Sequence, residues 1–192
     1  GMGRGQIFAQ GKTTWKTQNY MMVVDVKEKG LEYQLTEEQD NKQGTTISVI
    51  LYNSIRFLEK KLERFKEWVK YVAIVIYVNG NQLNEKLVMP SRIDEGLIEL
   101  QDDDKIRVYN RGIFVKEETF GSGAIIISTK NLKVNFARND IMDNCPVYSR
   151  LLEKTKELIS NKLLHKQNLS SDDRKTILNL IKEDKQWVEV FK

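Results

Sequence analysis

The chain has 192 residues, 40% hydrophobic and 30% charged, and its net charge of +4 arises from 31 basic and 27 acidic residues. This composition is typical of a globular protein with a real core, and its well-mixed charges permit nucleic acid as a partner without indicating it. No apolar run approaches the length of a membrane-spanning helix. One cysteine and one histidine exclude an intrachain disulfide and a Cys/His metal site. We therefore expect a cytoplasmic protein with no membrane partner and no metal ligands of its own.

The first eleven residues are rich in glycine and begin with Gly1-Met2-Gly3-Arg4-Gly5-Gln6. Closely spaced glycines allow several backbone N–H groups to point at one phosphate, so we expect a nucleotide-binding loop here. Because this loop opens the sequence, we expect the remainder of its pocket to come from elsewhere. The alternative is a flexible glycine terminus that binds nothing.

The next forty residues predict a β-meander with strands over 14–26, 31–35 and 45–51 and a polar loop over 36–44. Apolar residues alternate along the first and third strands, which predicts one buried face. These strands need a partner layer that the segment itself does not supply. The alternating residues are Met22, Val24 and Val26, then Ile47, Val49 and Leu51.

Ser54 is a candidate cap for an amphipathic helix that runs to about residue 69. Strands follow over 71–79 and 82–89, joined by the hairpin signal Asn79-Gly80-Asn81. Further strands are expected near 105–110, 113–118, 124–129 and 132–135, whereas Asp94-Glu95-Gly96 is expected to be a turn.

From Pro146 onward the pattern is helical. A stripe of leucine and isoleucine predicts one helix, and Ser170 begins a second with a capping signal. The closing residues, Trp187 to Phe191, are so apolar that they must pack against their own domain or a neighbour. Cys145 and His165 have no catalytic partner nearby in sequence and are expected to be structural.

Two distant segments resemble the GHKL ATPases, the superfamily of gyrase B, the ninety-kilodalton heat-shock chaperones and the mismatch-repair ATPases. Gly44-Thr45-Thr46-Ile47, after the opening glycines, is similar to the Gly-Thr strand that follows the nucleotide lid. Ile106 to Val115, followed by Leu132-Lys133-Val134-Asn135-Phe136-Ala137-Arg138, looks like the chaperone's middle domain. There a Tyr-x-Arg-x-(aliphatic)-Phe strand precedes a Leu-x-(aliphatic)-Asn-x-x-Arg loop.

The resemblance implies an α+β protein in three parts. Residues 1–52 would be the C-terminal part of the ATP-binding fold, and 53–145 a two-layer transducer domain like domain 2 of ribosomal protein S5. Residues 146–192 would form a helical extension.

The resemblance also implies site residues. Gly3, Gly5 and Gln6 would enclose the triphosphate of ATP, and Gly44 and Thr45 would lie at the floor of the pocket. Arg138 would contact the γ-phosphate when the domains close, with Asn135 holding its loop. A guanidinium supplied from another domain stabilises the charge that develops on the transferred phosphoryl group. The alternative for Arg138 is a surface residue paired with Asp140 or Asp143.

The family also needs an acidic base, an asparagine that binds Mg²⁺, and an Asp-x-Gly turn for adenine, all before the lid. These residues are not found here; Asp94-Glu95-Gly96 follows the lid and does not qualify. We therefore expect ATP and Mg²⁺ to act in the complete protein, and this chain to bind ATP weakly and not hydrolyse it. The partner would be the missing N-terminal half of the ATPase domain or another protein, with a homodimer also open. The competing functions are a non-catalytic protein-interaction scaffold and nucleic-acid binding by the S5-like domain.

Overall fold

The computed structural model describes residues 2–184 and 186–191 and divides into two compact units, residues 1–58 and 59–192. Helices and strands both contribute to the structure, so the predicted α+β class is confirmed.

The first unit is a long antiparallel hairpin with short flanking helices. Its elements are α1 (Met2–Gln10), β1 (Gly11–Val24), α2 (Val26–Lys29) and β2 (Tyr33–Leu51). Pairing extends from Gly11 opposite Leu51 to Val24 opposite Tyr33. Asp25 caps α2 by accepting a hydrogen bond from the Glu28 amide.

The expected three-stranded meander is wrong, because the polar stretch 36–44 continues β2 instead of forming a loop. Thr17 lies opposite Thr45 and Tyr20 lies opposite Glu37, so β2 uses residues 38–44 where β1 uses 18 and 19. An irregularity in register absorbs this difference, as a β-bulge does. Residues 36–44 can belong to a strand because β1 supplies their backbone partners, and because both faces of this two-stranded ribbon accept polar side chains.

At the start of the second unit lies α3 (Leu58–Val69), which begins four residues after Ser54, so Ser54 is not its cap. Phe57 has a φ of 58°, which is not a right-handed helical conformation, so a helix that began after Ser54 could not continue through this residue. The predicted hairpin beyond α3 is reduced to β3 (Tyr77–Val78) and β4 (Asn81–Gln82). Its turn is as expected, since Asn79 and Gly80 both have positive φ values.

In the rest of that predicted hairpin, the side chain of Asn84 takes the place of a partner strand. Asn84 Oδ1 accepts a hydrogen bond from the Ile76 amide (2.5 Å), and Asn84 Nδ2 donates to the carbonyls of Val72 and Ile74 (both 3.0 Å). These backbone groups would otherwise pair with a neighbouring strand. The apolar stretch 71–76 is therefore held in an irregular conformation.

A five-stranded sheet follows, in the order β5-β6-β9-β7-β8. β9 fills the slot between β6 and β7, antiparallel to the former and parallel to the latter, and all of its residues are buried. The predicted strands near 105, 113 and 124 are confirmed, β5 and β6 were not predicted, and the strand expected at 132–135 is a single bridge between Val134 and Ile141. The bounds are β5 (Ser91–Ile93), β6 (Gly96–Gln101), β7 (Lys105–Asn110), β8 (Ile113–Thr119) and β9 (Gly123–Ser128).

Three helices cover one face of this sheet: α4 (Pro146–Leu164), α5 (Ser171–Glu183) and α6 (Gln186–Val190). Leu151, Ile159 and Leu163 of α4 share one core with the sheet, as the apolar stripe predicts. The capping box at Ser170 is confirmed, with Asp173 completing it. Trp187 is buried in the same core, so the apolar terminus packs on its own unit.

Candidate functional site

The candidate site in the second unit is the loop 133–142, which carries Asn135 and Arg138. The Met142 amide donates to the Lys133 carbonyl (2.8 Å), and the Asn135 amide donates to the Asp140 carbonyl (3.0 Å). These bonds and the Val134–Ile141 bridge close the loop at its base.

Asn135 also organises the tip of this loop. Its Oδ1 accepts from the Asn139 amide (3.1 Å), its Nδ2 donates to Asn139 Oδ1 (2.8 Å), and its carbonyl accepts from the Arg138 amide (3.0 Å). An asparagine side chain that bonds nearby backbone in this way fixes a turn without neighbouring elements. Asn135 therefore holds the position of the Arg138 backbone.

Arg138 is presented to solvent by this tip. Its φ of 57° is in the left-handed region, which a residue with a Cβ occupies at a cost. Within residues 2–184 and 186–191 its exposed guanidinium makes no hydrogen bond or ion pair. Asp140, one of its expected partners, lies 3.5 Å from Lys116 Nζ instead. The Ile141 amide and then Lys116 lower the pKa of Asp140.

The glycines expected to form a lid lie in α1 instead, and Gly1 lies outside the described residues. Gly3, Gly5 and Gln6 are helical, so the expected loop is wrong. Because α1 begins at Met2, Gln6 lies beyond the first turn, where N–H groups bond to carbonyls of the same helix, whereas Gly3 lies within the first turn. The helix packs on β1, where the rings of Phe8 and Trp15 meet edge to face at 6.0 Å, a contact that favours the helix against the poor helix propensity of glycine.

Gly44 and Thr45 lie in β2, opposite Thr17. Gly44 has a φ of 86°, which suits glycine at the strand irregularity. Thr45 Oγ1 donates to Thr17 Oγ1 (3.1 Å), and Thr17 Oγ1 donates to the Gly44 carbonyl (3.3 Å). The structure therefore joins Gly44 and Thr45 to each other through Thr17, and no hydrogen bond among the described residues joins them to Gly5 or Gln6.

Two buried polar atoms in β1 were not singled out from the sequence. Thr13 is fully buried, yet its Oγ1 has no hydrogen-bond partner within the described residues, and neither has Trp15 Nε1. Each such group costs about 1–3 kcal/mol. They lie two residues apart and so share one face of the strand. In the sequence, residues 11, 13 and 15 alternate with Lys12 and Thr14, and this period of two could have indicated that Thr13 and Trp15 share a face.

The expected buried face of the hairpin is largely uncovered. Ile47, Val49 and Leu51 are 43%, 39% and 41% exposed, and Val24 is the only large apolar residue of the unit's described part that is fully buried. A hairpin of this kind has little stability of its own in water. The hairpin therefore leaves the apolar row of Ile47, Val49 and Leu51 open to solvent.

Cys145 and His165, the other residues considered for catalysis, contact backbone groups of the fold. Cys145 is buried and its Sγ accepts from the Lys133 amide (3.3 Å). His165 Nδ1 lies 2.7 Å from the Asn161 carbonyl at the end of α4. Across the described residues, no cluster of three or more His, Cys, Asp or Glu side chains is arranged to bind a metal ion.

Comparison with known proteins gives no family for the chain. No family model matches it, and no curated protein shows significant similarity to it. Among the described helices, none has the length and apolar character needed to cross a membrane.

Proposed function

We propose that this chain is the lid-plus-transducer part of a heat-shock-chaperone-like GHKL ATPase, a nucleotide-dependent conformational module. The observation that carries the proposal is Arg138, an unpaired guanidinium on a loop whose conformation Asn135 fixes. A cation held without a partner at an exposed tip is available to an anionic group that arrives from outside the unit. In the proposed closed state that group is the γ-phosphate of ATP.

The uncovered hairpin supports the same proposal. Its exposed apolar row and the buried, unpartnered Thr13 hydroxyl fit a segment of a larger sheet. The covering layer would be the segment or polypeptide that carries the acidic base, the Mg²⁺-binding asparagine and the adenine-binding turn. The sheet and helices of the second unit would act as the S5-like transducer, in which phosphate contact at Arg138 is converted into domain closure.

The chemistry assigned to Arg138 is electrostatic. Cleavage of ATP spreads negative charge over the γ-phosphoryl oxygens, and a guanidinium brought close only in the closed state stabilises that charge selectively. Gly44 and Thr45 would lie near the nucleotide, whereas Gly3, Gly5 and Gln6 would reach it only if α1 rearranged.

The first test uses the chain itself. Titration with labelled ATP and Mg²⁺ is expected to show weak or no binding and no turnover, because the catalytic base and the adenine-binding turn are supplied by the partner layer. Clear hydrolysis by the purified chain would refute this division of the site.

The second test uses a longer polypeptide that includes the in-frame residues encoded before Met2. If these contain a Glu-x-x-x-Asn helix and an Asp-x-Gly-x-Gly turn, Arg138→Ala should lower ATP turnover by about 10³-fold or more while the affinity for ATP changes little. Lys133→Ala, which removes another exposed cation from the same loop, should leave turnover unchanged. Equal effects of the two substitutions would contradict the role of Arg138.

A non-catalytic scaffold is the second candidate, favoured by the apolar hairpin surface. The support expected from the C-terminal apolar residues is gone, since Trp187 is buried in its own unit. Sedimentation of the chain at several concentrations tests this candidate. The scaffold would be favoured if the mass of the wild type rises with concentration and the mass of Ile47→Asp is lower at the same concentration.

A further inference from the structure

A cavity of about 380 Å³ lies on the face of the second unit's sheet that is opposite the helices. Tyr109, Ile125 and Ile127 of this face form an apolar cluster separate from the core under α4. Ile127 lines the cavity, together with parts of the irregular segments 71–75 and 84–87. The volume is within the range of small-molecule sites, and none of the described lining residues belongs to loop 133–142.

The floor of this cavity is apolar. Leu97 of β6 lies directly opposite Ile127 of β9, and both residues line the cavity. Residues that lie opposite each other in a sheet share a face, so these two side chains form one apolar row. Val72, Val75 and Leu87 add apolar groups from the irregular segments. An occupant that presents hydrocarbon to this floor would gain stability from its burial.

Arg92 lies at the end of this apolar row. It is opposite Leu97 in the register of β5 and β6, and β5 is an edge strand of the sheet. Its side chain is therefore on the same face as Leu97 and Ile127, and it lines the cavity. Its exposed guanidinium makes no hydrogen bond or ion pair within residues 2–184 and 186–191. Asp94, the acidic residue that follows β5, is not part of the lining.

The other charged groups of the lining leave a second cation free. Lys86 is exposed, and its ammonium group has no hydrogen-bond or ion-pair partner among the described residues. Glu85 is the one acidic residue of the described lining, and it lies 3.2 Å from Lys70 Nζ. Two unpaired cations therefore line a cavity with an apolar floor, and an anionic group complements them.

We propose that this cavity binds a small amphiphilic carboxylate, an acid with an unbranched hydrocarbon chain. The chain packs on the row formed by Leu97 and Ile127, and the carboxylate pairs with Arg92 at the edge-strand end of that row. The planar guanidinium matches the geometry of a carboxylate, and Lys86 adds positive charge to the same cavity. This binding does not depend on the proposed ATPase function.

The test is a titration of the isotope-labelled full chain with sodium octanoate, followed by amide chemical shifts. The amides of Leu87, Leu97 and Ile127 should shift saturably, with a dissociation constant of about 1 mM or below. At these amides n-octylammonium chloride, which has the same chain and the opposite charge, should bind at least about fivefold more weakly. Sodium acetate, which has the charge without the chain, should leave them unchanged.

Three results would overturn the proposal. Equal affinity for octylammonium would show that Arg92 and Lys86 do not select the ligand, and equal shifts with acetate would show that the apolar floor is not used. Shifts at this face that follow protein concentration, with no response to octanoate, would assign the face to contact between copies of the chain.

Matched variants locate the site. Arg92→Gln and Lys86→Gln should each weaken octanoate binding at least about threefold, the effect expected for an exposed ion pair. Arg174→Gln and Lys182→Gln make the same changes on α5, at the opposite face of the sheet, and should bind as wild type. All four side chains are exposed, so the substitutions leave the core intact. Unchanged affinity in Arg92→Gln would refute the site.

Discussion

Gly112 lies directly against the backbone of Tyr71. A Cβ on Gly112 would be 2.2 Å from the Tyr71 carbonyl oxygen, and the φ of Gly112 is +88°. The β7–β8 turn therefore fixes where the chain passes after α3. Because Tyr71 also packs on the buried ring of Tyr109, this contact positions the segment after α3 against the sheet.

Gly112→Ala is expected to destabilise the second unit by more than about 3 kcal/mol, through a left-handed φ and a backbone clash. Gly80→Ala is the control, because Gly80 has a similar φ of +82° and no atom within 4 Å of its Cβ position. It should cost only about 1–2 kcal/mol. Urea unfolding, followed by Trp187 fluorescence in a background with Trp15 and Trp68 replaced by Phe, measures the free energy of unfolding of both variants. Equal losses would show that the contact with Tyr71 is not tight.

The sequence predicts features that depend on local chemistry and misses those that depend on distant contacts. The Asn79-Gly80 turn, the Ser170 capping box and the α4 stripe were predictable because their determinants lie within a few residues. The hairpin expected over 71–89 is reduced to β3 and β4, because the side chain of Asn84 makes a specific contact that periodicity does not reveal and binds the backbone that a strand would use.

The candidate site shows the same division. Asn135 and Arg138 share one short loop, so their spacing was visible in the sequence. The helix that contains Gly5 packs through Phe8 on Trp15 of the next strand, and Tyr71 packs on Tyr109, a residue that it meets only in the fold.

Asn84→Ala should destabilise the segment 70–90 by about 2–3 kcal/mol, since it leaves the Ile76 amide and two carbonyls without their bonds. Hydrogen exchange of the Ile76 amide should become much faster. Asn81→Ala, an exposed asparagine in β4, is the control. An unchanged exchange rate at Ile76 would show that Asn84 does not hold this segment.

Asp173 makes stability depend on pH. Burial raises its pKa, but Lys166 and the Ser170 amide outweigh burial and lower it below the ordinary value of 3.8. The unfolded chain therefore binds the proton first on acidification, so the stabilisation is complete above that value and is lost as pH falls through the lower, folded-state pKa. Between pH 6 and pH 3, melting temperature should fall less in Asp173→Asn than in wild type. A parallel fall in the two proteins would contradict this role.

Cys145 should react slowly with an aromatic disulfide reagent in the native protein, because it is 1% exposed and its sulfur accepts the Lys133 amide. Reaction should be immediate in denaturant. Met142→Cys in a Cys145→Ala background places a thiol at an exposed position of the same loop and should react rapidly without denaturant. Rapid native reaction of Cys145 would show that the base of loop 133–142 opens readily.

The hairpin should be the least protected part of the isolated chain. Its apolar row is exposed and its strands have no third partner among the described residues, whereas every residue of β9 is buried between two strands. Amides of β1 and β2 should exchange at least about 100-fold faster than those of Ile125 and Ile127. A polypeptide that supplies the proposed covering layer should slow exchange of the hairpin amides. Hairpin protection equal to that of β9 in the chain alone would mean that the unit needs no partner layer, which would remove a main support of the ATPase proposal.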